Sequence, residues 1–363
     1  MAVYPYSMLG TPDKTRGAVS NRTGRFEALA LERVDDGWGI ADEELPPVQT
    51  TVQAEPAASV ITRNNSPDIP FELSINPYRG CEHGCNYCYA RPSHHYLNLS
   101  AGLDFETRLF YKKNVAAHLR EELSRRSYRP SPINLGANTD PYQPIERKLG
   151  ITRSILEVLA ESRHPVTIVT KGALVVRDID VLSQLAAERL VKVFVSVTTL
   201  DDELKRRMEP RAASPRARLA AIGKLAAAGI PVGVMYAPVV PGINDHELEA
   251  VLDASAAAGA TTAGYVLLRL PGEVKDLFFE WLELHFPDRA QKVRNRIREL
   301  RGGRDNDSRF GHRMHGQGPW AELLRRRFEA SCRNNGLGSH RNEPLTTELF
   351  RPPSRTPGQM ELW

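Results

Sequence analysis

Residues 166–199 read VTIVTKGALVVRDIDVLSQLAAERLVKVFVSVTT. Two short, near-continuously apolar runs, VTIVT and VKVFVSV, flank the amphipathic stretch DIDVLSQLAAERL. A strand buried on both faces needs apolar residues at successive positions, and a connection of this length suits a helix that returns the chain to a parallel neighbour. Outward from this unit the pattern repeats. PINLGA precedes ITRSILEVLAESR, and PVGVMYAPVV precedes DHELEAVLDASAAAG. GYVLLRL precedes EVKDLFFEWLELHF, while ELSINPY and a helix expected over about 105–127 stand in front. The series predicts six β-α units. Polar residues recur just past the strand ends, as in Asn138-Thr139-Asp140, Lys171 and Ser196-Val197-Thr198-Thr199. That placement favours an α/β fold with a partial (β/α)6 barrel of TIM type over a doubly wound sheet.

The barrel is expected over residues 71–287. Residues 1–70 hold few periodic apolar segments and many breakers, as in DEELPPVQTTVQAEPAAS, and predict an extended, partly disordered lead-in. Residues 288–363 form a basic C-terminal extension. Between Arg289 and Arg333 there are 13 Lys plus Arg against 5 Asp plus Glu, a surplus of 8, so the rest of a chain of net charge +4 sums to −4. Phe310, Trp320 and Phe328 interleave with these charges. Such a mixture can track phosphates and stack bases, and a solvated helix face that closes the barrel accounts for it as well. No apolar run approaches the roughly 20 residues that span a bilayer. The opening MAVYPYSMLGTPDK has no basic segment followed by an apolar core, so no membrane association is expected and the chain reads as cytoplasmic.

Three of the four cysteines in 363 residues fall in RGCEHGCNYCYAR (79–91), as Cys81, Cys85 and Cys88 in the spacing C-x3-C-x2-C. A closed zinc site wants four ligands and a disulfide framework an even number of cysteines. Three thiolates on a loop after the first strand, at the mouth of a parallel barrel, suit a 4Fe-4S cluster with one iron free of protein ligand. Two alternatives stand beside it. Zinc could take His83, His94 or His95 as fourth ligand, and Cys332 could complete an electron-transfer cluster from far along the chain. Either would make the protein a non-catalytic binding or electron-transfer module.

The cysteine motif, with aromatic Tyr87 before its last cysteine, resembles that of the radical S-adenosylmethionine superfamily. The longer strings INPYRGCEHGCNYCYARPSHHY, NTDPYQPIE and PVVPGINDHE resemble the branch grouped with spore photoproduct lyase and described as DNA repair photolyase-like, over roughly residues 60–290. The resemblance implies that Cys81, Cys85 and Cys88 ligate three irons and that S-adenosylmethionine chelates the fourth. One-electron cleavage then gives a 5′-deoxyadenosyl radical that abstracts hydrogen from the substrate, with flavodoxin or ferredoxin as electron donor. It places Tyr87 by the adenine, and Thr139, Asp140, Lys171 and Ser196 around the amino acid and ribose portions of the cofactor. Chemistry agrees with those types: an ammonium wants Asp140, a carboxylate wants Lys171, and hydroxyls suit ribose. Asp140 could equally cap the turn before Pro141, and Ser196 could be a plain strand residue.

Tyr89 matches a tyrosine that relays the radical in the lyase, or it packs the cluster rim. One departure stands out. The lyase carries a cysteine hydrogen donor at the end of its second strand, and NLGANTD (134–140) has none. Repair of the lyase's thymine lesion by the same route is therefore in doubt. The expected substrate class is nucleic acid, for DNA repair or base modification, with radical modification of a protein or peptide as the alternative.

Overall fold

The computed structural model describes residues 15–21, 49–56, 59–339 and 344–353. Its strands are β1 (Thr51–Glu55), β2 (Ile61–Arg63), β3 (Leu73–Ile75), β4 (Tyr78–Arg79), β5 (Arg108–Lys112), β6 (Ile133–Leu135), β7 (Val166–Thr170), β8 (Val191–Ser196), β9 (Val232–Val239), β10 (Thr262–Leu267) and β11 (Gly338–Ser339). The six expected strands, β3 and β6 to β10, pair side by side in chain order within a sheet ordered β11-β10-β9-β8-β7-β6-β3-β2. Every pairing from β3 to β11 is parallel, and only β2 runs antiparallel, on β3. An order without reversal is that of a partial barrel, since a doubly wound sheet reverses at its switch point.

Register accounts for the apolar runs. Leu73, Ile133, Val166 and Val191 stand in one row across four strands, and Ile75, Leu135, Ile168, Val193 and Val232 form the next. All nine are buried and belong to one core with Ile155, Leu156, Leu182, Leu185, Ile222, Leu225, Val251 and Leu252 of the covering helices. Those helices are Ile151–Glu161, Ile179–Ala187, Pro215–Ala227 and Leu248–Ala257. Among the described residues no helix is long and apolar enough to cross a membrane.

The first crossover departs from the expected helix over 105–127. It holds two short helices, Asp104–Thr107 and Val115–Leu123, with β5 between them. β5 pairs in parallel with β1 and antiparallel with β4, making a separate three-stranded sheet. The partner β1 lies more than fifty residues upstream, so no local periodicity could reveal the strand. Asn114, in the left-handed region at φ 56°, then restarts the helix.

Of the expected lead-in, residues 1–14, 22–48 and 57–58 lie outside the described residues. The parts within them have defined places. β1 and β2 are strands, and residues 15–21 pack on the cysteine loop. Gly17 N and Ala18 N donate to the two carboxylate oxygens of Glu106, at 3.0 and 2.8 Å. The contact is so close that a Cβ on Gly17 would lie 1.5 Å from the Gly84 carbonyl oxygen, which requires glycine there. The C-terminal extension joins the fold too. Helices Pro287–Leu300 and Pro319–Asn334 lead to β11 at the sheet edge, and Leu300, Ala321, Leu324 and Leu337 enter the main core.

Glu106 is fully buried and also receives Arg91, itself fully buried, so one carboxylate joins the lead-in segment, the first crossover and the cysteine loop. Removing one partner of a buried pair strands the other charge, which costs about 3–5 kcal/mol. Glu106→Ala should therefore lower the unfolding free energy by that amount in urea denaturation, whereas exposed Glu157→Ala should change it by less than about 1 kcal/mol.

Candidate active site

The cysteine loop has no strand or long helix of its own, and beside a few local turns such as Cys88 N on Cys85 O its backbone groups are satisfied from a distance. Cys81 N donates to Phe105 O, Asn86 N to Met208 O and Arg211 N to the His83 carbonyl. Glu82 N donates to Gln143 Oε1, and Gln143 Nε2 returns a bond to Gly80 O. Arg91 reaches back to the carbonyls of Cys85, Ala101 and Gly102. The loop is thereby fixed beside the carboxyl ends of the parallel strands.

Within it Cys81, Cys85 and Cys88 are free thiols, two of them buried and the third nearly so. Burial raises all three thiol pKa values, that of Cys85 to about 12, and the carboxylates of Asp140 and Glu209 push Cys81 and Cys85 in the same direction. Hydrogen bonds act against this. The backbone N–H of Asp140 beside Cys81, that of Ala90 beside Cys88 and the Tyr87 hydroxyl beside Cys85 favour the thiolates. Three sulfurs gathered on one largely buried loop are a donor set for a metal group.

The group they suit is wider than one ion. Among the described residues no three His, Cys, Asp or Glu side chains are gathered so as to hold a single metal ion. The histidines considered for zinc are engaged elsewhere. His83 Nδ1 lies 3.3 Å from Asp140 Oδ2, His95 Nδ1 lies 3.6 Å from Glu273, and His94 bonds the Arg108 carbonyl with its pKa lowered by burial to about 4. Cys332 packs into the main core from the helix Pro319–Asn334, apart from the clusters that hold the other three. Three thiols without a fourth ligand fit a 4Fe-4S cluster.

The strand-end residues take different parts. Asp140 has both oxygens occupied: Oδ1 accepts from Tyr142 N and Thr170 Oγ1, and Oδ2 from Lys171 N, with His83 alongside. Burial disfavours its charge, yet His83 and these bonds hold its pKa down at about 2. Its carboxylate thus ties the cysteine loop to the ends of β6 and β7, and in this arrangement it does not stand free for an incoming ammonium. Thr139 Oγ1 donates to Tyr78 O, and Ser196 is buried with its carbonyl accepting from Arg218. Lys171 makes no ion pair among the described residues. Its Nζ sits 5.8 Å from the Tyr87 ring centroid, and its charge is felt by Cys85, Cys88 and Glu209.

Glu209 and Arg218 escape the sequence reading. Glu209 is fully buried and accepts from the hydroxyls of Tyr87 and Thr198 and from Arg218. Burial opposes its ionisation, but Arg218 and Lys171 hold its pKa at about 2. The string MEPRAASP (208–215) carries Glu209, Arg211 and the helix-capping Ser214, and a charged pair so close to prolines is the one local signal. Tyr89 is 44% exposed, hydrogen-bonds the Ala137 carbonyl beyond β6 and lies under Arg269, whose guanidinium is 5.0 Å from the ring centroid.

The basic extension is largely compensated where its charges cluster. Arg325 pairs with Glu322 and Glu329, Arg326 with Glu322, and Arg327 with Glu249 of the neighbouring helix. Phe328 packs on Tyr265 at 4.7 Å and Trp320 on the core, which leaves Phe310, 57% exposed, as the open aromatic of the three.

Comparisons with known proteins bear on the family and the fold. The Radical SAM superfamily model matches residues 75–254. An uncharacterized protein of Mycobacterium tuberculosis is 38% identical over 297 residues, covering 80% of this chain and 82% of its own. A second relative, from Methanocaldococcus jannaschii, is 28% identical over 173 residues, 48% of this chain and 62% of its own. Among solved structures, a spore photoproduct lyase mutant superposes with a TM-score of 0.57 at 18% identity, covering 79% of this chain and 80% of that one. Spore photoproduct lyase complexed with dinucleoside spore photoproduct gives 0.56 at 17% with the same coverage. At such identities the likeness is one of fold. With three cysteines at the mouth of a partial barrel inside the matched segment, the chain belongs to the radical SAM superfamily, whose members bind a 4Fe-4S cluster and S-adenosylmethionine.

Proposed function

We propose that this radical SAM enzyme abstracts a hydrogen atom from a nucleic-acid substrate in the cytoplasm, in DNA repair or base modification, with flavodoxin or ferredoxin as reductant. The observation that carries the catalytic part is the set of three gathered thiols, two of them buried, at the carboxyl end of a parallel sheet beside a lysine with no ion pair among the described residues. Cys81, Cys85 and Cys88 would hold the cluster, which would supply the electron for reductive cleavage of S-adenosylmethionine and so the hydrogen-abstracting power of the site.

The chain's own residues orient and shield. Lys171 meets the cofactor carboxylate. Tyr87, anchored by Glu209, presents its ring to the adenine, and Ser196 and Thr139 border the ribose. Asp140 acts as a positioning residue, through its N–H on Cys81 and its carboxylate on the loops around it. Tyr89, next to Cys88 and open to solvent, is the candidate relay residue. For the substrate class, support comes from a fold shared with a lyase whose structure holds a dinucleoside.

After anaerobic reconstitution, iron counting and electron paramagnetic resonance should show one 4Fe-4S cluster per chain, lost in Cys81→Ala, Cys85→Ala and Cys88→Ala and kept in Cys332→Ala. Stoichiometric zinc without a cluster would contradict this. Reduced protein should release 5′-deoxyadenosine slowly without substrate. Losing a charged contact costs about 1.5–3 kcal/mol, so Lys171→Ala should weaken S-adenosylmethionine binding roughly 10- to 150-fold in equilibrium dialysis with iron content retained. Asp140→Ala should lower iron content as well as affinity. The substrate class is decided by deuterium transfer into 5′-deoxyadenosine. Transfer from a labelled peptide and none from DNA or RNA would replace it.

A further inference from the structure

Across the barrel mouth, Tyr89 and Arg269 join walls that lie four strands apart. The Tyr89 hydroxyl holds the segment after β6, and Arg269 enters two residues beyond β10. Arg269 is half-buried and makes no ion pair among the described residues. Among the described residues it donates from Nη1 to the sulfur of Met314, at 3.8 Å. Arg301, behind it, is 2% exposed and is spent on the carbonyls of Leu268, His312 and Arg313, again without a carboxylate partner among the described residues. Asp68, the nearby acid, is already neutralised by Arg313 and Gly311 N. Arg313 in turn lies 4.7 Å over the ring of exposed Phe310. The mouth therefore carries Arg269, which no carboxylate contacts among the described residues although Asp68 acts on it from farther off, and two aromatic rings that each have a guanidinium on one side.

We propose that this is a subsite for one nucleotide unit of a single-stranded nucleic acid, with Arg269 on the phosphodiester and the open side of Tyr89 under the base. The inference rests on the nucleic-acid reading above and assigns it a place. A half-buried guanidinium without a counter-ion is costly to keep, and an anionic ligand offsets that cost. Burial lowers the pKa of Arg269, with Arg313 adding to it and Asp68 opposing it, and lowers that of Arg301 to about 10, with Arg269 adding to it and Asp307 opposing it. A carboxylate ligand would account for Arg269 alone. Exposed rings beside the arginines add the stacking surface that single-stranded nucleic acid uses, whatever its bases. The paired arginines of helix Pro319–Asn334 offer no such vacancy, which moves the expected docking charge from the C-terminal helix to the mouth.

Reconstituted protein is titrated against a fluorescein-labelled oligothymidylate decamer and its uridylate counterpart, over a range of salt, by anisotropy. The two probes separate DNA from RNA as the source of the phosphate. Arg269→Gln should weaken binding about tenfold and flatten the log–log salt slope by about 0.7, the contribution of one phosphate on a single strand. Arg269→Lys should keep the slope and lose affinity, because an ammonium neither stacks nor forks. Arg326→Gln, on the outer helix, should match the unmodified protein. Iron content per chain shows which variants have folded. If folded Arg269→Gln and Arg269→Lys both bind with unmodified affinity and slope, the subsite is overturned and the nucleic-acid reading survives. If neither decamer binds the unmodified protein, both are overturned.

Discussion

The site depends on buried carboxylates, each tied to a basic side chain, that clamp a loop without secondary structure. Arg91–Glu106 holds the loop against the lead-in segment and the first crossover. Arg218–Glu209 holds it, through Tyr87, against the end of β8. His83–Asp140 holds it against the ends of β6 and β7. Such pairs add little net stability, because desolvation offsets most of their attraction. What they supply is geometry: each demands one arrangement of its partners and penalises others by leaving a charge unpaired. A loop that must present three sulfurs with a fixed spacing needs that kind of restraint more than it needs apolar burial.

The same pairs shape the field at the sulfurs. Two of the three carboxylates that anchor the loop, Asp140 and Glu209, face the thiols and disfavour their ionisation, while Lys171 acts in the other direction. Metal ligation requires the thiols to give up their protons, so cofactor binding works against this bias and is coupled to the order of the loop. Placement of the sulfurs at the carboxyl ends of parallel strands follows from the fold. That is the face at which loops of such sheets can be varied without disturbing the packed rows beneath, where Leu73, Ile133, Val166 and Val191 meet.

Much of this was legible in the sequence, and the rest was hidden for identifiable reasons. The six barrel strands could be read because both faces are buried, which leaves an apolar residue at nearly every position of a run such as VKVFVS. The thiol loop could be read because its spacing is local. β5 could not, because its partner β1 is remote and its residues are mostly half-exposed. Arg91 and Glu106 are fifteen positions apart, and Glu106 looks in sequence like any acid opening a helix. Asp140 was legible as a site residue, but its role was not. Its partners come from residues 83, 142, 170 and 171, and only the folded chain reveals that they fill its acceptor positions.

Tyr89 shows how the mouth departs from what the motif alone implies. Its hydroxyl is engaged by the Ala137 carbonyl in the stretch NLGANTD, where the lyase resemblance would have a cysteine nearby. That stretch is rigid: Gly136 takes φ +98°, and a Cβ there would lie 2.2 Å from the Val169 carbonyl oxygen, so the turn is pressed against β7. The tyrosine is thus tethered at its oxygen to a fixed turn and covered on its ring by Arg269 from the opposite wall. A side chain held at both ends cannot sweep the cavity. Any hydrogen atom that passes through it must do so with the substrate brought to the ring. The charge nearest that ring is the guanidinium already lying on it, so on the proposed reading substrate positioning and relay would share one pair of neighbouring side chains.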